Sequence, residues 1–303
     1  MIKNIVFFNQ YHNGDCFVGK GWVRNIMQQL PDIKFSYAHK NHADIIKDLG
    51  CEYTPLKDIP EIDRMVRIAQ ADDTLYINTW CGAFQGELFG YHQHSNYIIQ
   101  HRMYEMYCEQ LTSILGRPVT QSGNPHDYLP FIDFSYYDTK LADAFVPHYR
   151  KLVLFCNGPA NSGQSLVGDF KYSLEYLARE FADHVFVATH DVGIKLPNVQ
   201  YTSNIFNKAS DLNEIAYLSK HAKLIVGKNS GPFSYCCFDE NMQLDHTFFC
   251  FGKLLTDCLN AGLEFPAEFK FCDQTNDRLI TNILMRELSE KKVRRTGMQH
   301  IMV

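Results

Sequence analysis

Hydrophobic and polar positions alternate along the chain between two periods. The run Ile5-Val6-Phe7-Phe8 inside residues 3–9 reads as a buried strand. After it, Phe17, Val18, Trp22, Val23, Ile26, Met27 and Leu30 recur at helical spacing and predict a helix over 17–30. Residues 33–38 and 74–78 read as strands; 41–49, 61–71 and 98–115 read as helices. Residues 79–97 interrupt the pattern with Trp80, Phe84, Phe89, Tyr91, His92 and His94 set among Gly82, Gly86 and Gly90. Loops of that length inside a compact domain are usually functional. Residues 117–130 are broken by Pro and Gly.

The alternation restarts near Lys151. Residues 152–157, 184–189, 223–227 and 248–252 read as strands, and 169–181, 211–220 and 277–292 as helices, with another helix beginning at Pro232. Asp211 and Glu214 form a capping-box pattern at the start of one of them. Strands alternating with helices imply a parallel sheet covered on both faces. Two such halves of about 150 residues predict an α/β protein of two Rossmann-like domains facing a cleft. They span 1–147 and 148–303, with the junction near Pro147 and the last helix able to pack back on the first domain.

Composition narrows the class. With 29 basic and 34 acidic residues among 303, the formal charge is −5, and 46% of residues are hydrophobic, as in an ordinary globular chain. Neither half is basic: residues 1–150 hold 13 basic and 17 acidic side chains, and the remainder 16 and 17. A nucleic-acid polymer is therefore not expected as a partner. No stretch reaches the roughly 20 apolar residues of a membrane span, and the opening residues lack a secretory pattern. The ten cysteines are scattered through apolar runs without a C-x-x-C pair, which reads as reduced core thiols in a cytoplasmic protein. No metal site is expected, because neither Cys236-Cys237 nor the His92, His94 and His101 group has ligand spacing.

Three turns carry candidate chemistry. The first strand runs into Asn9-Gln10-Tyr11-His12-Asn13-Gly14-Asp15. Ligands of open α/β sheets sit beyond the carboxyl ends of strands, so this turn should face the site. Asp15 reads either as a helix N-cap or as a general base, and His12 as a second base candidate. Asn13 and Gly14 suit a tight turn beside the acceptor. The second turn, 157–165, contains Asn157, Gly158, Ser162 and Gly163, small residues that let backbone N–H groups approach an anion at a helix start. It is neither a Walker A sequence nor a G-x-G-x-x-G fingerprint. The third is Lys228-Asn229-Ser230-Gly231-Pro232, again between strand and helix. Gly231 there can take positive φ, Pro232 suits a first helical turn, and Lys228 offers a positive charge. Trp80, Phe84, Tyr91 and His92 in the long irregular segment are candidate acceptor contacts, the aromatics by stacking on a flat ligand face.

Residues 211–237, DLNEIAYLSKHAKLIVGKNSGPFSYCC, resemble a signature of the heptosyltransferase-like glycosyltransferases (family nine), which have the GT-B fold. The Gly14-Asp15 turn is similar to that family's Gly-Asp motif, and LVLFCNGPANSGQS lies where its donor-binding domain begins. The resemblance implies a nucleotide-sugar donor on the C-terminal domain, an acceptor on the N-terminal domain, metal-independent transfer without a cofactor, and Asp15 as the catalytic base. Three features depart from it. Asn229 stands where the signature has an acid and Ser234 where it has a histidine, and the usual lysine of the donor loop is missing from 158–168. The acceptor expected on this reading is a glycan or a lipid-linked saccharide. The basic stretch Lys291-Lys292-Val293-Arg294-Arg295 would allow peripheral contact with the inner membrane face. The alternatives are a non-catalytic sugar- or nucleotide-binding protein on the same scaffold and a nucleotide-sugar epimerase. An NAD-dependent oxidoreductase lacks its fingerprint here.

Overall fold

The computed structural model describes residues 1–11, 13–40, 43–60, 66–83, 96–146, 151–159, 165–206, 212–252 and 264–299. It divides into two compact units. The first holds Met1–Thr139 and Ser234–Leu244; the second holds Lys140–Phe233 and the strands and helix that follow Asp245. The division thus falls at 139/140 instead of 147/148, and a short later segment returns to the first unit, which periodicity along the chain cannot show.

In the first unit, β1 (Asn4–Asn9), β2 (Lys34–His39), β3 (Glu52–Pro55), β4 (Ile68–Ala71) and β5 (Thr74–Asn78) form one sheet in the order β3-β2-β1-β5-β4. β1 pairs in parallel with β2 and β5, placing Phe7 between Tyr37 and Ile77. β4 is antiparallel to β5, and Asp72 between them has φ 51°, a left-handed conformation that Asp tolerates. Part of the helix predicted over 61–71 is therefore an edge strand, stabilised by a partner three residues downstream. The helix predicted over 41–49 is two short 3-10 turns, Ala43–Ile45 and Lys47–Leu49, with Gly50 in the left-handed region closing the second.

Helix α1 (Asn13–Gln29) begins four residues before its predicted start. Its apolar stripe is buried, with Trp22 edge-on to Phe7 at 5.9 Å and its indole N–H donating to Gln100 Oε1 at 2.7 Å. Gln100 lies on α2 (Asn96–Leu115). At Gly21, a Cβ would stand 2.1 Å from the Leu129 carbonyl oxygen, so only glycine lets α1 lie against that backbone. One turn position earlier, Lys20 is fully buried and its ammonium pairs with both oxygens of Asp48, at 2.5 and 2.7 Å.

The second unit begins with α3 (Lys140–Phe145). It builds an all-parallel sheet from β6 (Leu152–Cys156), β7 (Val185–Ala188), β8 (Val199–Tyr201), β9 (Ala222–Lys228), β10 (Thr247–Phe251) and β11 (Glu268–Cys272), in the order β11-β10-β9-β6-β7-β8. The two outer strands were not expected, because they are short and β11 is half exposed and lacks a continuous apolar run. Helices α4 (Lys171–Glu180), α5 (Thr202–Ile205) and α6 (Leu212–Ser219) follow; α7 (Gly231–Cys236) crosses the boundary after Phe233, α8 (Asp239–Met242) lies in the segment that returns to the first unit, and α9 (Asp277–Gln299) ends the second. The last helix packs on α4 within the second unit, burying Ile280, Leu284 and Leu288 with Leu174 and Leu177. The described cysteines are free thiols, mostly buried. No helix among the described residues is long and apolar enough to cross a membrane.

A buried imidazole gives this sheet a pH dependence. His246 is 3% exposed beside Phe248, and burial, with the Lys223 charge adding, pushes its pKa down to about 4, against a smaller opposing effect of Asp245. Between that value and about 6.5 the unfolded chain binds the proton that the folded chain refuses. Stability is thus expected to fall on acidification through this window, by up to about 1.4 kcal/mol per pH unit. Denaturant titrations of His246→Gln from pH 7 to 4 should show a flatter slope than wild type.

Candidate functional site

Each sheet changes direction once. In the first, the chain winds outward from β1 to β2 and β3 and then returns to the other side of β1 as β5. In the second, it winds from β6 to β7 and β8 and returns beside β6 as β9. The crevices beyond the carboxyl ends of β1 and β5, and of β6 and β9, are therefore the switch points where open α/β sheets bind ligands. The candidate turns lie at these two places.

At the first switch point, β1 and β5 end alike. Asn9 Oδ1 accepts from Tyr11 N–H, and Asn78 Oδ1 accepts from Trp80 N–H, both at 2.9 Å. These paired Asx turns bring the Tyr11 and Trp80 rings to a centroid distance of 3.9 Å. Gly82 is required beneath the indole, since a Cβ would sit 2.4 Å from Trp80 Cζ2. Asp15 lies in the first turn of α1 and is 7% exposed. Its Oδ1 accepts from the Cys81 thiol at 2.6 Å. Asp15 was read as an N-cap or a base; the structure puts it inside the helix, with its carboxylate engaged by the 3-10 turn that follows β5. Asn13 and Gly14 are likewise helical instead of forming a tight turn.

Below this carboxylate, Tyr37 and Thr79 share a hydroxyl hydrogen bond of 2.6 Å, Thr79 Oγ1 reaches the Phe8 carbonyl at 3.2 Å, and Gln100 Nε2 donates to the Thr79 carbonyl at 3.0 Å. Burial pushes the Tyr37 phenol and the Cys16 thiol well above their usual ranges, so both are neutral donors.

At the second switch point, two expected ligand contacts are scaffold. Asn157 is fully buried; its Nδ2 donates to the Asp169 and His190 carbonyls at 3.1 and 3.0 Å, and its Oδ1 accepts from His190 N–H at 2.8 Å and from Thr189 Oγ1 at 3.3 Å. Its side chain has no capacity left for a ligand. The helix after this loop begins at Lys171, and the Asp277 carboxylate of α9 accepts from Tyr172 N–H at 2.9 Å and from Ser173 N–H at 3.2 Å. The anion expected at that helix start is supplied by the protein itself. Gly158 has no close neighbour that glycine is needed to avoid.

Lys228 also differs from expectation. It is 4% exposed, and its ammonium donates to the carbonyls of Val167 at 3.2 Å and Gly168 at 2.8 Å. Burial lowers its pKa, and Asp169 acts in the opposite sense. The lysine thus ties the end of the β6–α4 loop to the carboxyl end of β9. Beside it, Ser230 is 6% exposed, and its Oγ has no hydrogen-bond partner among the described residues. Gly231 opens α7 without positive φ, followed by the half-buried Pro232; Asn229 is half-buried as well.

His12, Phe84, Tyr91, His92, Ser162 and Gly163 lie outside the described residues, as do Phe89, His94 and Asp211. Sequence reasoning missed Cys81, which was read only as a core thiol. It also missed the Asn9 and Asn78 turns and His39, which ends β2 opposite Asn9 and is 1% exposed. The available signal was positional: each residue terminates or closely follows an apolar strand run.

No protein-family model matches the sequence, and no curated protein matches it. Solved structures do. A family 9 glycosyl transferase from Veillonella parvula superposes with a TM-score of 0.54 at 12% identity, covering 93% of this chain and 91% of that one. The fold is GT-B. The E. coli heptosyltransferase WaaC, solved with ADP, superposes with a TM-score of 0.52 at 12% identity over 97% and 99% of the two chains. A protein assigned as a UDP-N-acetylglucosamine 2-epimerase from Listeria monocytogenes gives 0.50 at 8% identity over 96% and 89%. The GT-B scaffold thus carries more than one chemistry, and the choice among them falls to the two switch points.

Proposed function

We propose that this protein is a metal-independent glycosyltransferase that moves a sugar from a nucleotide-sugar donor to a glycan or lipid-linked saccharide. The observation that carries the reading is the buried Ser230 hydroxyl at the β6/β9 switch point, which has no partner among the described residues, beside a buried carboxylate at the β1/β5 switch point of the other unit. A buried hydroxyl without a partner implies a ligand that supplies one. The donor diphosphate would take Ser230 as a hydrogen-bond donor, with Lys228 adding positive charge as negative charge grows on the leaving phosphate. Asp15 would take the proton of the acceptor hydroxyl, which then attacks the anomeric carbon as the C–O bond to the diphosphate breaks. Asn13, Gly14 and Trp80 flank that carboxylate on the acceptor side. The protein would work in the cytoplasm, with the basic run 291–295 near the end of α9 able to meet an anionic membrane face.

The scaffold roles of Asn157 and Asp277 leave fewer donor contacts than the sequence suggested, which favours a binding protein more than an intact constellation would. One experiment separates the two readings. ADP-, UDP-, GDP-, CMP- and dTDP-linked sugars should be screened by thermal shift and calorimetry with and without divalent metal. The ADP sugars come first, because the WaaC structure holds ADP. A cognate donor at a hundredfold excess over Kd should stabilise the fold by about 2.7 kcal/mol without metal, and Ser230→Ala should weaken it by about tenfold. Binding without sugar transfer or donor hydrolysis would support the binding protein. No binding to any of the five would defeat both.

A further inference from the structure

We propose that Cys81 is a positioning residue for the proposed base, its thiol holding the Asp15 carboxylate in place and setting how readily it takes a proton. The inference rests on the reading of Asp15 as base, and it assigns work to a side chain that the sequence reading placed in the inert core. Three features of the structure support it.

The first is the contact itself. Cys81 Sγ and Asp15 Oδ1 are 2.6 Å apart, with the two residues 6% and 7% exposed, so solvent competes little for either group. A carboxylate accepts only, so the proton belongs to sulfur.

The second is rigidity. Cys81 begins the 3-10 turn Cys81–Ala83 directly after β5. The residues before it are anchored to β1 and to their own turn: Thr79 N–H donates to the Phe8 carbonyl at 2.9 Å, and Trp80 N–H to Asn78 Oδ1. The Trp80 indole folds over Gly82, where no side chain fits. The sulfur therefore approaches a helix residue from a strand end that has little freedom to withdraw.

The third is an open donor on the same edge. Asn9 is fully buried; its Oδ1 serves Tyr11, while its Nδ2 has no acceptor among the described residues. Among the described residues, this buried amide donor at the strand end that leads into the Asp15 turn is available to an oxygen of a bound ligand.

The choice of sulfur has a chemical consequence. A hydrogen bond to the charged form of a carboxyl lowers its pKa, and a thiol is a weaker donor than a hydroxyl. Cys81 therefore orients the carboxylate while leaving it more basic than a serine would. During transfer the acceptor proton goes to Asp15, and the thiol proton stays on sulfur.

The test reads the carboxyl group directly. In protein carrying 13C-labelled aspartate carboxyls, the resonance lost in Asp15→Asn identifies Asp15. Its titration midpoint should rise by about one pH unit in Cys81→Ala and fall to or below the wild-type value in Cys81→Ser. The acid limb of the transfer rate, measured with the nucleotide sugar found in the screen, should move with it. An unmoved midpoint in Cys81→Ala overturns the proposal.

If Cys81→Ala does not fold, capture of Cys81 by iodoacetamide at pH 7, read peptide by peptide, probes the contact from the sulfur side. Capture should be several-fold faster in Asp15→Asn, where no carboxylate disfavours the thiolate, and equal rates overturn the proposal. The two readings fail separately. Transfer that survives Asp15→Asn removes the base and leaves the contact standing. An unmoved midpoint beside an inactive Asp15→Asn removes the positioning role and leaves the base.

Discussion

On the proposed reading, Asp15→Asn is expected to lower sugar transfer by at least about a hundredfold and to leave nucleotide binding nearly unchanged, within the usual range for loss of a general base. The asymmetry follows from the fold. Asp15 belongs to the first unit, beyond the carboxyl end of β1, while Lys228 ends β9 and Ser230 follows it in the second. The substitution keeps the side chain's volume and an acceptor oxygen, so the Cys81 contact and the packing of α1 survive. Only the negative charge and its basicity are lost. Steady-state rates at saturating donor, set beside calorimetric donor affinity, test this. Equal activity in the variant would take Asp15 out of the reaction, whereas parallel losses of binding and rate would mean that it supports the fold instead.

The second large effect concerns stability. Lys20→Met should destabilise the protein by about 3–5 kcal/mol, since it removes the ammonium from the buried Asp48 carboxylate, which also accepts from the Asp133 N–H at 3.0 Å. Burial already lowers the Lys20 pKa, with Asp48 pulling the other way, so the pair holds a charge in apolar surroundings chiefly because its partner is there. Phe131 lines the same place, 4.8 Å from the ammonium and 3.6 Å from the Arg24 guanidinium. The double variant Lys20→Met/Asp48→Leu should recover much of the loss, because removing both charges also removes their desolvation cost. Urea midpoints of the two single variants and the double variant complete the cycle. A double variant as unstable as the sum of the singles would show that the two side chains do not depend on each other.

The buried pair also shows where sequence reading stops. Lys20 lies on α1 between apolar residues, and on periodicity alone it belongs to a solvated edge of the helix. Only the approach of the Lys47–Leu49 turn makes it interior. The loss of the predicted helix over 41–49 and the burial of Lys20 are thus one event: Asp48 turns inward because Lys20 does. In the second unit, Asn157 and Lys228 occupy the positions expected of them, at the ends of β6 and β9. Their polar atoms bind backbone carbonyls, because those strand ends must be joined to the loops that leave them.

Local pattern by itself determined the alternation of strands and helices, the two α/β halves, the strands β1, β2, β5, β6, β7, β9 and β10, and the three turns in which polar residues follow apolar runs. These depend on side-chain period and turn chemistry, which act within a few residues. Tertiary structure decided the rest: the strand order that creates the two switch points, the return of Ser234–Leu244 to the first unit, the edge strands, and the partner of every buried polar group. Asp15 meets Cys81 across 66 positions of sequence, and Asp277 caps α4 across 104. Hydrogen bonds between residues so far apart exist only after the sheets have assembled, and so does the division of these polar side chains into those that hold the scaffold and those left for a ligand.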